Sequence, residues 1–342
     1  MHKRIPPAFC RRASIPALAI LFAATVPVAA RSFYAEKLND PHAIYVSPSG
    51  GDDTAAIQEA IDRVQETTRQ GIVFLAPGTY RLSDTIHIWP AIRLIGCGAE
   101  RPEIILPENS PGFGNPAHEK IIFYFAGRRP RNGDGPIPDA NPGTFYSALA
   151  NFDVEIQNGN PGAVAVRAHY AQHCFLAHMD LRLGDALAGI HEGGNVVEDV
   201  HFFGGTHAIW TSKPSPGWQF TLLDCWFNGQ GKSAIFEHEA GLTLIRPHFE
   251  NVPAAVEIES NWVDELWVKD GRLENISGPA FSFGMENSPR NEINLEGIVC
   301  SNVPVFAALM DSGKDFTGPS KMYSIKAFSH GSEFAGPGAE PK

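Results

Sequence analysis

Four ionisable side chains fall at nearly equivalent positions of a phrase that recurs along the chain: Asp185, His207, Lys232 and Glu237. Carboxylates and an imidazole move protons and an ammonium holds an anion, so the set suits acid–base cleavage of a glycan. Arg167, His191, Glu192, Trp210 and Glu257 are the candidates for holding substrate, the Trp210 indole offering a flat face to a sugar ring. Hydrolysis would take an acid and a base or nucleophile from Asp185, Glu192, Glu237 or Glu257, at a separation that sets the stereochemical outcome. β-Elimination would take a base such as Lys232, His207 or Arg167 to remove the proton beside a uronate carboxylate, while a cation neutralises that carboxylate. The third reading is a non-catalytic carbohydrate-binding or surface protein, and the plainest one is that these are surface side chains pairing charges across neighbouring strands.

Positioning these groups requires a scaffold that repeats. Leu181, Phe202, Phe227, Phe249, Leu273 and Cys300 share one apolar column, and Ile190, Ile209, Ile235, Val256 and Phe281 share another. The spacing within each column runs between about 19 and 27 residues, the length of a solenoid turn. The apolar runs are short and bounded by Gly, Asn and Pro, so the unit is β rather than α. Such a unit buries its apolar face only by stacking on its neighbours. The expected fold is all-β, a right-handed parallel β-helix with an N-terminal capping helix over Ala55–Thr68, N-capped by Asp53 or Thr54. With the Phe column inward, Asp180, His201, Trp226, His248 and Arg272 form one outward row, and His178, Asp199, Asp224, Arg246 and Asp270 a second. Asn251, Asn275 and Asn302 stack as a structural ladder, and Trp218 joins Trp210 as a possible sugar platform.

Residues 1–30 have the pattern of an export signal: Lys3, Arg4, Arg11 and Arg12, an apolar run from Ile15, and Val28-Ala29-Ala30 for cleavage before Arg31. A linker is expected over 31–43 and the β-helix domain over 44–328. Within it fall a cap at 44–98, a long loop at 107–142 and regular coils at 147–307; a disordered tail follows at 329–342. The loop's Arg128, Arg129 and Arg131 are read first as solvated loop residues, with positive charge on a wall of the substrate groove as the functional alternative. The net charge of −11 argues against nucleic acid as a partner, and signal cleavage would leave no membrane anchor. Cys97, Cys174, Cys225 and Cys300 show no paired metal spacing, so neither zinc nor another resident cofactor is expected. The expected state is an exported monomer, periplasmic or extracellular, acting on a polysaccharide or oligosaccharide.

Asp52-Asp53-Thr54-Ala55-Ala56-Ile57-Gln58 with Phe74-Leu75-Ala76-Pro77-Gly78-Thr79-Tyr80 resembles the start of the pectate-lyase-superfamily β-helix, the rhamnogalacturonase/epimerase-like and family 28-related group. Gly159–Ala163, Val166–Gln172 and Asp199–Gly205 resemble the first β-helix of family 55 exo-β-1,3-glucanases. The resemblance implies a carbohydrate-active protein, with glycoside hydrolysis ahead of lyase chemistry and calcium as a cofactor only for a lyase. It sets His207, before Ala208-Ile209, nearest to the histidine of polygalacturonase-like enzymes, whose catalytic groups sit at this turn-to-strand junction. Two departures stand out: the paired aspartates of polygalacturonases have no match here, and family 55 keeps its catalytic acid in a second β-helix for which this chain has no room.

Overall fold

The computed structural model describes residues 32–38, 43–131, 135–140, 143–213 and 220–331. The export signal and Trp218 lie outside these residues. The described strands form a 17-stranded and a 10-stranded sheet, wound as a parallel β-solenoid of about 10 turns. A representative coil has three limbs: Phe220–Leu223, Trp226–Asn228 and Ser233–His238. The first two limbs belong to the larger sheet and the third to the smaller.

Both apolar columns are in register from coil to coil. Leu181 pairs with Phe202, then Phe227, Phe249, Leu273 and Cys300, all at most 1% exposed. Ile190, Ile209, Ile235, Val256 and Phe281 do the same on the third limb. The Phe202, Phe227 and Phe249 rings stack with centroids 5.2 and 4.6 Å apart. Space between the walls is tight. A Cβ added at Gly189 would stand 2.8 Å from the Phe202 ring, which explains a row of Gly and Ala (Gly189, Ala208, Ala234, Ala255) beside that column.

The limbs meet at residues with left-handed backbone. His178, Asp199, Asp224, Arg246 and Asp270 all have φ between 51 and 57°, and Gly297 follows at 66°. Asp tolerates this region better than most side chains, so the richness of this row in aspartate answers a bend before it answers chemistry. The second bend is the asparagine ladder. Asn251, Asn275 and Asn302 have φ of 54 to 56°, and their amides donate upward from Asn275 to Asn251 (3.0 Å) and from Asn302 to Asn275 (3.1 Å).

The ends are closed as a solenoid requires. Helix Thr54–Thr67 buries Ile57, Ala60, Ile61 and Val64 over the N-terminal coils. Asp53 stands at its N-cap without capping it. Its buried carboxylate instead accepts from the Ser49 and Arg81 amides at 2.7 and 3.1 Å. At the other end, Lys314–Thr317 and Met322–Gly331 pair antiparallel with the last coil limbs. Ser329, His330 and Gly331 are therefore strand rather than tail, because they pair with Asn294, Ile293 and Glu292.

Two other segments depart from the sequence reading. The stretch 107–142 contains a core strand, Lys120–Phe125, whose apolar run was masked by the Pro- and Gly-rich residues around it. The expected linker is docked over Ser32–Leu38. The Phe33 amide donates to Asn151 Oδ1 (2.9 Å), and the Tyr34 carbonyl accepts from the Gly98 amide (2.9 Å). Outward Phe74, Ile95, Ala150 and Ala177 make this first-limb face apolar enough to hold such a segment. All four described cysteines are buried and free. No described helix is long and apolar enough to cross a membrane.

Candidate functional site

Along the third limb the outward row runs Tyr124, Arg167, His191, Trp210, Phe236, Glu257, in register from coil to coil. Two inward residues, Ala208 and Ile209, separate His207 from Trp210, and both flanking side chains reach the outer face. There Leu187, Thr206, His207, Trp210, Lys232, Phe236 and Glu257 line a cleft of about 370 Å³. His207 and Lys232 thus line one cleft. Neither the Lys232 ammonium nor the Glu257 carboxylate has a partner among the described residues.

His207 is only 8% exposed. Its Nδ1 lies 3.2 Å from the Ser233 carbonyl and 3.0 Å from the Ser233 hydroxyl. Donation from Nδ1 to the carbonyl, which only accepts, is the tautomer that leaves Nε2 its lone pair; the hydroxyl serves either tautomer. Burial lowers the imidazole to about 4, and the neighbouring Lys232 charge pushes the same way, so the ring is neutral at ordinary pH.

Asp185 and Glu237 do not join them. The exposed Asp185 carboxylate accepts from the Gly159 and Asn160 amides at 2.9 and 3.1 Å, tying one coil to the one before it. Glu237 is two residues past inward Ile235, so strand alternation turns it into the interior, where it is fully buried. It pairs there with buried Asp264. Burial, then repulsion from Asp264, drives Glu237 well above the usual carboxylate range, and burial raises Asp264 too.

Next along the row stands an ionic cluster. Asp139 Oδ2 accepts from Arg167 Nε and Nη2 at 3.1 and 2.7 Å and lies 2.9 Å from His169 Nδ1. Burial alone would raise Asp139, but its bonds to His169 and Arg167 override this and hold it down to about 2. His191 Nδ1 lies 2.7 Å from Glu119 Oε2, and the His191 ring stacks on Trp210. Glu192 accepts from the Ser212 hydroxyl. Glu119 and Asp139 had no signal in the sequence, since both lie in the stretch read as a long loop. That stretch sends Glu119 and Asp139 to the groove, while its Arg129 pairs with Asp62 and Glu66 of the helix.

The opposite wall carries a second network. Arg101 Nη2 bridges Asp153 (2.8 Å) and Asp180 (3.0 Å), and His201 sits between Asp180 and Asp199 at 3.0 and 3.2 Å. Burial alone would lower His201, but the two carboxylates raise it to about 9. Every member is already paired, which suits a structural role better than a reactive one.

The match to a family model for "rhamnogalacturonase A/epimerase, pectate lyase-like" proteins extends over residues 49–262. The chain belongs to this family of pectate-lyase-like β-helices, which includes carbohydrate-active enzymes. No curated protein sequence matches it. Among solved structures it is similar to PfbA, a surface adhesin of Streptococcus pneumoniae (15% identity, TM-score 0.48, covering 78% of this chain and 74% of that one). It is also similar to the Dettilon tailspike protein (11%, 0.38, 79% and 56%). A third is the A-module of the mannuronan C-5 epimerase AlgE6 of Azotobacter vinelandii (15%, 0.24, 76% and 96%). At such identities and scores the likeness carries no argument about chemistry.

Proposed function

We propose that the protein binds a uronate-bearing polysaccharide along the third-limb row and cleaves it by β-elimination in the His207–Lys232 cleft. One observation carries this reading. The cleft's charged groups without a partner among the described residues are one ammonium and one carboxylate, beside a neutral imidazole and two aromatic faces. A glycosidase ordinarily needs two carboxyl groups across the bond, and among the described residues Glu257 is the one carboxylate lining the cleft. Elimination needs a cation and a base, and both are at hand.

In the proposed reaction the sugar stacks on Trp210 and Phe236, and Lys232 pairs with the uronate carboxylate. That charge stabilises the enolate that forms when His207 Nε2 takes the C5 proton. The electron pair then forms the C4–C5 double bond and expels the C4 oxygen, which recovers a proton from the imidazolium. Glu257 orients sugar hydroxyls. Among the described residues Glu257 is the one carboxylate lining this cleft, and Lys232 shares it, so the residues present do not make a set of oxygen ligands for calcium.

A panel of neutral and uronic polysaccharides, followed both by reducing ends and by the ultraviolet absorbance of an unsaturated product, tests the reaction. New reducing ends on a neutral glycan without unsaturation would favour hydrolysis. Binding without either product would favour a recognition module. Access to such a polymer also requires export, which predicts a mature N-terminus at Arg31.

A further inference from the structure

We propose that the outer face of the first limb holds a second saccharide-binding site, distinct from the His207–Lys232 cleft. A cleft of about 540 Å³ lies there, with Tyr34, Arg93, Tyr146, His173, His178 and Glu198 on its walls. The Tyr146 and His173 rings are parallel within 4° at 4.9 Å, and Tyr146 is 51% exposed, so the stack offers an open aromatic face.

The backbone did not ask for a tyrosine at position 146. Ala91, Tyr146 and His173 occupy matching positions of adjacent coils, at φ of 62, 60 and 63°. That region favours Gly, Asn, Asp and His, and disfavours a bulky side chain such as Tyr146. A tyrosine ring kept there at a conformational cost suggests a surface selected for what it touches.

Polar groups adjoin the aromatic face. Arg93 Nε donates to the Tyr146 carbonyl (3.2 Å), and its guanidinium lies 5.9 Å from the Phe175 ring centre. Glu198 is exposed and has no partner among the described residues. Tyr34 closes one side, held by the bond of its carbonyl to Gly98, while neighbouring Phe33 stacks on His178 at 3.7 Å. A flat aromatic face beside one cation and one carboxylate suits a pyranose ring, whose C–H face stacks while its hydroxyls bond to the charged groups. Resting on the reading that this protein handles saccharides, the site would keep a polymer attached while another stretch of it enters the His207–Lys232 cleft.

Calorimetric titration of the intact chain with tetragalacturonate, and with cellotetraose as a neutral counterpart, tests this. Two binding events per chain are expected. Tyr146→Asn suits the left-handed backbone and should fold; it should weaken one event by about tenfold, as should Glu198→Gln. Trp210→Ala should weaken only the other. Loss of the first event alone, with Trp210→Ala silent, would keep this site and contradict the assignment of the His207–Lys232 cleft. A single event sensitive only to Trp210→Ala would overturn the second site and leave the proposed function standing. No binding of either probe would overturn both.

Discussion

The Trp210 indole stacks on the His191 imidazole one coil away, with ring centroids 4.6 Å apart and planes within 19°. Because His191 also lies 2.7 Å from Glu119, the indole is held by the ionic cluster on one side and borders the cleft on the other. Trp210→Ala should weaken oligosaccharide binding by about three- to tenfold, the worth of one aromatic contact. An unchanged Kd by titration would remove Trp210 from the site.

His207 makes stability depend on acid. Its folded value of about 4 lies below the ordinary 6.5, so the unfolded chain binds the extra proton. The stabilisation from keeping it neutral is fully present above about 6.5 and is lost as pH falls towards 4, on the order of 3 kcal/mol in total. Urea melts of the wild type and His207→Asn across that window should show a flatter acid limb in the variant.

His201 has the opposite sign. Its value is raised to about 9 by Asp180 and Asp199, so its contribution is complete below about 6.5 and disappears as pH rises through 9. The loss should be on the order of 2–3 kcal/mol. His201→Gln should be less stable than the wild type at pH 6 and close to it at pH 10, read by thermal melts.

Glu237 is predicted to be dispensable for turnover. Ionising it inside the core costs stability as pH rises above the ordinary carboxylate range. Glu237→Gln can still donate to Asp264, so the variant should melt higher than the wild type at pH 8 and similarly at pH 4. A lower melting temperature at pH 8 would show that the charged form is the one stabilised.

The stacked core gives a prediction independent of function. Phe227 lies between Phe202 and Phe249 with no exposure, so Phe227→Ala should cost about 3–5 kcal/mol. A cost under 1 kcal/mol in urea would mean that the column does not bear the coil.

The solenoid was legible because burial acts on each coil in the same way. Phe202, Phe227 and Phe249 recur at one position, and their register followed from the repeat alone. The site was legible only in part. His207 and Lys232 were found from equivalent positions, yet Glu237 was misplaced although alternation from Ile235 turns it inward. Asp199, Asp224 and Asp270 were legible as one outward row, but the left-handed bend that favours aspartate there was not. Glu119 and Asp139 were invisible, since their place depends on a strand whose flanks carry no period.

The cleft assignment is tested most directly by kinetics on the best uronate polymer, comparing Lys232→Met and His207→Ala with Asp185→Asn and Glu237→Gln. Unsaturated-product formation should fall by about 10²–10⁴ in the first two variants and stay within about twofold in the last two, all melting as folded proteins. Retention of activity within a few-fold in both Lys232→Met and His207→Ala would contradict the account.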